Sequence, residues 1–348
     1  MKPRTRKILN FAFIFGTLLV VLLIGFNGQE MSGAIEALKS IGPGWIVLCV
    51  LAWAGYIAMD AFSTWFFLKR QGYHISIPYS LFIAITGIYY SNITPGATGG
   101  QPMQVYYLKK ANVPIGIGTS TLTVKFFSFQ FMLAVLGTVL WIGYRDFVAE
   151  QVGASMWILV VGYVYNLISV SVVLLMAINK NIVGAILRFI VKILAKLRIL
   201  KNPDATRTKC EDVLETFHSS VMMLTRHPLD LVVQLLFGGL QLLSLMAVIP
   251  FVYHAFSLTG ASYGQLTTLG IMLYTSAAYT PLPGASGAQE GVFALYFAQI
   301  IPDGIRVMAL LLWRFFTYYM SLIVGAVVTV GYGFVSGRRK ETPPPPAE

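Results

Sequence analysis

Four ionisable side chains, Asp60, Lys125, Glu290 and Arg314, lie inside stretches that are otherwise apolar or built from Gly, Ala, Pro and hydroxyl residues. A charge near the centre of a membrane helix costs about 2.5 to 3.5 kcal/mol, so such residues face a cavity or one another. The set offers two cations for an anionic group such as a phosphate, and two carboxylates for a cation or a proton. Two structural salt bridges are the plainer alternative for the same four residues.

Two short polar stretches accompany these charges. Thr94-Pro95-Gly96-Ala97-Thr98-Gly99-Gly100-Gln101-Pro102 is echoed 188 residues later by Leu282-Pro283-Gly284-Ala285-Ser286-Gly287-Ala288-Gln289-Glu290, with seven of nine positions identical or near-identical. Further on, Lys125-Phe126-Phe127-Ser128-Phe129 is matched by Arg314-Phe315-Phe316-Thr317-Tyr318 at an offset of 189. The chain is therefore an internal repeat. Hydrocarbon offers no water to unpaired backbone groups, so Pro-Gly loops at membrane depth must be buried in protein or line a wet cavity. Paired interruptions in matching halves point to a transporter's substrate site.

The elements that position these residues follow from composition. Of 348 residues, 56% are hydrophobic and 11% are charged, and mean hydropathy is +0.71, too few charges to cover a soluble globule. The fold class is an all-α integral membrane protein. Six strong spans are expected at 8–26, 45–68, 115–143, 155–178, 229–256 and 305–334, each long enough to cross a bilayer. Two further apolar regions, 78–108 and 264–300, hold the polar stretches and read as broken hairpins, re-entrant or made of two short crossings. The basic start and first apolar run read as a retained helix rather than a signal peptide. Cys49 and Cys210 fall in different compartments, so no disulfide is expected.

The formal net charge of +11 reflects topology and contact with anionic lipid rather than nucleic acid. Twenty of the 25 Lys and Arg residues lie at the N-terminus, in the turns at 69–70 and 109–110, in segment 180–226 or at Arg338-Arg339-Lys340. The positive-inside rule puts both termini in the cytoplasm, and the two halves become inverted repeats. The expected organisation is an N-terminal helix and outer loop (1–44), repeat 1 (45–178), a cytoplasmic amphipathic linker (179–228), repeat 2 (229–336) and a disordered tail (337–348). The linker carries Arg188, Lys192, Lys196 and Arg198 among apolar residues, as a helix on the inner leaflet or an ordinary connection would.

Where a broken helix restarts after Pro-Gly-Ala, its free N–H groups and dipole favour an anion. The candidate substrate-binding set is Lys125, Arg314, Glu290, Gln289, Gln101, Thr98, Ser286, Gly99, Gly287 and Asp60. Thr94 joins them as a hydroxyl partner, although hydroxyls there also cap helices. Asn166 and Gln241 read as interhelical hydrogen bonds. Glu215 and His218 share a helical face but read as a solvated surface. No nucleotide-binding loop, nucleophile elbow or zinc-type spacing occurs, and no cofactor or metal is expected.

The two stretches resemble the transmembrane flippase region of lysylphosphatidylglycerol synthases and its stand-alone relatives. That family's first signature is a Pro-x-x-x-Gly-Glu type loop, here Thr94 to Pro102, followed by Tyr106-Tyr107-Leu108 and then Lys125. The second is a Pro-x-Pro-Gly-Gly-x-Gly-x-x-Glu type loop, here Pro281 to Glu290, with Arg314 later. The resemblance implies flipping of a lipid with a polar, aminoacylated or glycosylated headgroup across the cell membrane. Gln101 stands where a Glu is common. The aminoacyl-transferase domain of the full-length synthases is missing, so an enzyme is not expected.

The leading expectation is thus a lipid translocase working by alternating access, with Lys125 and Arg314 on the phosphate and Glu290 on an amine or proton. Neutralising Arg314 or Glu290 should then stop transport without harming the fold. The alternatives are a membrane protein of lipid modification and cationic-peptide resistance, a lipid-transferring enzyme using Glu290 or Asp60 as a base, and a small-solute or ion transporter. The expected partner is a membrane phospholipid or glycolipid. A separate lipid-modifying synthase and homo-oligomerisation are left open.

Overall fold

The computed structural model describes residues 39–178 and 227–340, with isolated positions between 184 and 222. The span expected at 8–26, nearly all of the linker and the last eight residues lie outside the described residues. Those described are helical, joined by short turns. In repeat 1 they are α1 (Pro43–Arg70), α2 (Ile77–Asn92), a 3-10 turn (Pro95–Ala97), α3 (Gly100–Lys110), α4 (Ile115–Gly143), α5 (Arg145–Val152) and α6 (Met156–Ile178). In repeat 2 they are α7 (Pro228–Met246), α8 (Val248–Ala255), α9 (Tyr263–Ala277), a 3-10 turn (Pro283–Ala285), α10 (Ala288–Tyr296), α11 (Asp303–Arg314), a π-helical turn (Phe315–Tyr319) and α12 (Met320–Lys340).

Among the described residues, five stretches are long and apolar enough to cross a membrane: Pro43–Arg70, Ile115–Gly143, Arg145–Leu175, Pro228–Ala255 and Asp303–Tyr332. Each takes in most or all of an expected span. The two expected hairpins are helix, Pro-Gly-Ala turn, helix. The last helix continues through Arg338 and Arg339 to Lys340, four residues beyond the limit of 336 read from sequence.

Local chemistry sets the ends. Ser76 opens α2 by accepting from the Tyr79 amide at 3.3 Å. In the matching place, Ser262 and Gln265 form a reciprocal capping box at the start of α9. Helix α1 closes on Gly72, whose φ of +80° lets the Tyr73 amide reach Leu68 O at 2.8 Å and the Gly72 amide reach Lys69 O at 3.1 Å. Helix α3 closes the same way on Asn112, with φ +61°. Each close follows a basic pair, Lys69-Arg70 or Lys109-Lys110, which also suits the helix C-terminal dipole.

Packing reveals how the halves meet. Helix α1 packs against its repeat equivalent α7. Three bonds mark the seam: Arg70 to Asp230 at 2.6 Å, Ser63 to Gln234 at 2.6 Å and Gln241 to Asp60 at 3.2 Å. Partner numbers fall on one helix as they rise on the other, so equivalent helices run antiparallel, as inverted repeats require. The exchange is reciprocal, since hairpin 1 packs through α2 against α12 while hairpin 2 packs through α9 against α4. The two Pro-Gly-Ala turns touch each other, and the Gly96 amide donates to Pro281 O at 3.0 Å.

The largest apolar cluster lies in repeat 2 and the parts of repeat 1 that it covers, including Leu133, Leu159, Leu242, Leu269, Phe293 and Trp313. Helices approach closely where small residues allow it. A Cβ on Gly162 would run into Thr275 O of α9, and one on Gly238 into the Ser128 backbone of α4, the small-residue contact typical of membrane helices.

Candidate functional site

The two polar stretches share one backbone shape. Gly96 has φ +58° and ψ +26°, and Gly284 has φ +59° and ψ +19°. The next residues, Ala97 and Ala285, are also left-handed at φ +56° and +51°, a conformation with a steric penalty for a residue carrying Cβ. A Pro-Gly-Ala turn with two successive left-handed residues is thus built twice, and the copies meet at the centre of the molecule.

Beyond Ala the copies diverge, and the sequence difference explains it. In repeat 2, Glu290 is the third residue of α10, and its Oε2 accepts from the Gly287 amide at 2.7 Å. Pro102 occupies the matching place in repeat 1 and has no carboxylate. There Thr94 Oγ1 accepts from the Gly99 amide at 2.8 Å, and Thr98 Oγ donates to Pro95 O at 3.0 Å. Part of the capacity for an external anion at each restart is therefore taken by the chain's own oxygens.

Asp60, Lys125, Glu290 and Arg314 form two ion pairs. Arg314 Nε meets Glu290 Oε1 at 2.6 Å. The same guanidinium reaches Gln289 Oε1 at 2.7 Å, Gly284 O at 3.2 Å and Ser286 Oγ at 3.5 Å. Arg314 is only 2% exposed and ends α11 where the π-helical turn begins, an irregularity common at functional sites. Its planar donors clamp the second turn to α10. In the other pair, Lys125 Nζ of α4 meets Asp60 Oδ2 of α1 at 2.9 Å and Thr64 Oγ1 at 3.3 Å, while Gln241 of α7 holds Asp60 Oδ1.

Between the pairs lies a cavity of about 510 Å³, within the range of small-ligand sites. Asp60 and Lys125 form part of one wall, Arg314 and Gln289 part of another, and both Pro-Gly-Ala turns contribute. Five glutamines line it: Gln101, Gln104, Gln130, Gln241 and Gln289. Phe126, Tyr165, Tyr279 and Leu282 also border it and are 38 to 45% exposed.

Of the residues singled out in the sequence, Asp60, Lys125, Gln101, Gln289 and Arg314 come together on this cavity. Glu290 and Ser286 stand behind Arg314 and bond to it. Thr98, Gly99 and Gly287 belong to the restarts of the broken helices and are absent from the cavity wall. Gln241 bonds between helices as the sequence suggests, and it also meets the carboxylate. Asn166 donates to Gln130 O at 3.4 Å. Gln104, Gln130, Tyr56, Tyr274 and Tyr318, which the sequence does not single out as site residues, also line the cavity. The i, i+3 spacing of Gln101 and Gln104 on α3 was the one usable signal.

The shared turn gives a comparison. A Cβ on Gly284 would collide with the Tyr318 ring, whereas one on Gly96 comes no closer than 3.9 Å to Thr98 Cγ2. Gly284→Ala is expected to destabilise by roughly 2 to 4 kcal/mol, strain plus overpacking. Gly96→Ala adds strain alone, of order 1 to 2 kcal/mol. Thermal unfolding of the two purified variants measures the difference.

Fold and site together define an all-α membrane protein of two inverted halves around a charged central cavity. The chain belongs to the family described as the lysylphosphatidylglycerol synthase TM region, which matches residues 8–325. Its relatives include UPF0104 membrane proteins of three archaea. That of Archaeoglobus fulgidus is 22% identical over 275 residues, covering 77% of this chain and 80% of the relative. That of Pyrococcus horikoshii is 22% identical over 335 residues, 91% and 95% of the two chains. That of Methanocaldococcus jannaschii is 22% identical over 329 residues, 90% and 92%.

Proposed function

We propose that this protein is a lipid translocase that passes an anionic, polyol-bearing headgroup between leaflets through the cavity between its two Pro-Gly-Ala turns. The observation that carries the reading is that cavity: it holds a lysine ion pair, five glutamines and Asn92, and it sits where the inverted halves cross. An amide side chain both donates and accepts, so glutamines suit the hydroxyls of a glycerol or sugar headgroup. A cation on the wall suits its phosphate. An opening past the exposed lining residues Phe126, Tyr165, Tyr279 and Leu282 would let acyl chains stay in the bilayer, which a sealed ion or solute site would not need.

Alternating access would proceed by one inverted half rocking against the other about the α1–α7 seam, with the turns as the barrier between leaflets. On the charge distribution, both termini face the cytoplasm of the cell membrane. Family membership supports a lipid substrate; an aminoacylated headgroup is the finer version of the same reading.

The test is exchange of fluorescent phosphatidylglycerol, lysyl-phosphatidylglycerol and a glycolipid between leaflets of proteoliposomes. Protein-dependent exchange of at least one is expected. Exchange no faster than in protein-free vesicles, with the protein folded and inserted, would refute the reading.

A further inference from the structure

The two ion pairs are built differently, and the difference bears on what travels with the lipid. Arg314 uses its donors on four acceptors from Gly284 to Glu290, and Glu290 has both oxygens occupied, by Arg314 and by the Gly287 amide. That unit is closed within hairpin 2 and the helix after it. The Asp60–Lys125 pair instead has both of its members on the cavity wall, where Glu290 is absent. Lysine is a compact charge on a flexible stem, able to turn from one acceptor to another, whereas the arginine fork is fixed in plane. Lys125 is therefore the cation free to change partner.

A change of partner raises a charge problem. Asp60 is 6% exposed. The groups that face it are Lys125 from α4 and Gln241 from α7, with Tyr56 of its own helix close by and Tyr274 of α9 and Arg314 elsewhere on the cavity wall. Before the headgroup enters, one anion and one cation cancel. If a phosphate takes Lys125 and Asp60 stays ionised, the site carries a net negative charge beside an uncompensated buried carboxylate, which is strongly unfavourable. Uptake of one proton by the carboxylate brings the site back to neutral.

Resting on the translocase reading, we propose that Asp60 takes up one proton for each anionic headgroup that Lys125 binds, making the protein a proton-coupled carrier. On binding, the Asp60–Lys125 contact breaks, Lys125 Nζ pairs with the phosphate, and a proton from water bonds to an Asp60 oxygen. Gln241 keeps its hold on the other oxygen. On release at the opposite leaflet the proton returns to water and the ion pair re-forms. The site is neutral at both stages, so lipid and proton cross together and a proton gradient drives lipid accumulation in one leaflet.

The test counts protons at binding. The full chain in detergent is titrated calorimetrically with dihexanoyl-phosphatidylglycerol, at one pH, in buffers of different ionisation enthalpy. The wild type is expected to take up about one proton per lipid bound. Asp60→Asn, with no competing carboxylate, is expected to bind more tightly and to take up none. Should Asp60→Asn misfold, Asp60→Glu serves in its place, and it should keep the proton count near that of the wild type. No proton uptake by wild type that binds and exchanges lipid would overturn the coupling and leave the translocase standing. An undiminished count in Asp60→Asn would overturn the role of Asp60. Absence of both binding and exchange would remove the two readings together.

Discussion

Arg314→Ala is expected to yield a protein that unfolds readily and moves no lipid. The substitution strips Glu290 of its cation while leaving the carboxylate 8% exposed, and removing one partner of a buried pair costs about 3 to 5 kcal/mol. It also takes the donors from Gln289 and Gly284 O, which hold the second turn against α10. This differs from what the sequence alone suggests, a functional residue dispensable for folding. Arg314→Lys should restore little, because one ammonium cannot span acceptors arranged for a planar fork. Thermal unfolding of the detergent-purified variants decides the matter, and a wild-type melting temperature for Arg314→Ala would sink the clamp.

Lys125→Met is expected to behave in the opposite way, keeping the fold and losing transport. Asp60 retains its bond from Gln241 and stands on the wall of a cavity, whereas Glu290 does not, so the loss of stability should be smaller than for Arg314→Ala. A hydrogen bond to a charged group is worth about 1.5 to 3 kcal/mol. Losing that from headgroup binding during translocation slows exchange roughly 10- to 100-fold. Exchange at the wild-type rate by Lys125→Met would show that the headgroup does not use this cation.

The contrast between these variants was not legible in the sequence. Lys125 and Arg314 hold equivalent places in the repeat, and spacing alone gives them equivalent roles. What separates them is a carboxylate that each half supplies from a different element. Glu290 comes from the hairpin that Arg314 follows, and Asp60 comes from the first helix of the half that holds Lys125. Period and composition do reveal the repeat, the helical spans and the broken hairpins, because lipid leaves the backbone few alternatives. They do not reveal which helices face each other. The α1–α7 seam, with its Arg70–Asp230 and Ser63–Gln234 bonds, joins residues at least 160 positions apart.

The turns illustrate the same limit. Pro-Gly-Ala repeated at a fixed offset signals a shared local shape, and both copies do adopt left-handed Gly-Ala pairs. The sequence offers no sign that the first turn donates to the second through the Gly96 amide, or that Glu290 spends one oxygen on its own helix start. Local propensity fixes local geometry, while contacts between halves depend on packing of the whole chain. Gln104 and Gln130 are not singled out by the sequence because a neutral amide in a membrane helix gives little composition signal, although with Gln101, Gln241 and Gln289 they give the cavity much of its polar character.

Photolabelling tests the passage of a headgroup between the two turns most directly. Phosphatidylglycerol with a diazirine on its headgroup glycerol, incorporated in vesicles with the protein and irradiated, should label peptides that contain Gln101, Phe126 or Thr317 on the cavity wall. Excess unlabelled phosphatidylglycerol should suppress that labelling, and Lys125→Met should weaken it. Labelling confined to outward-facing positions such as Trp157 and Leu167, unaffected by competitor or by Lys125→Met, would contradict a headgroup path through the cavity.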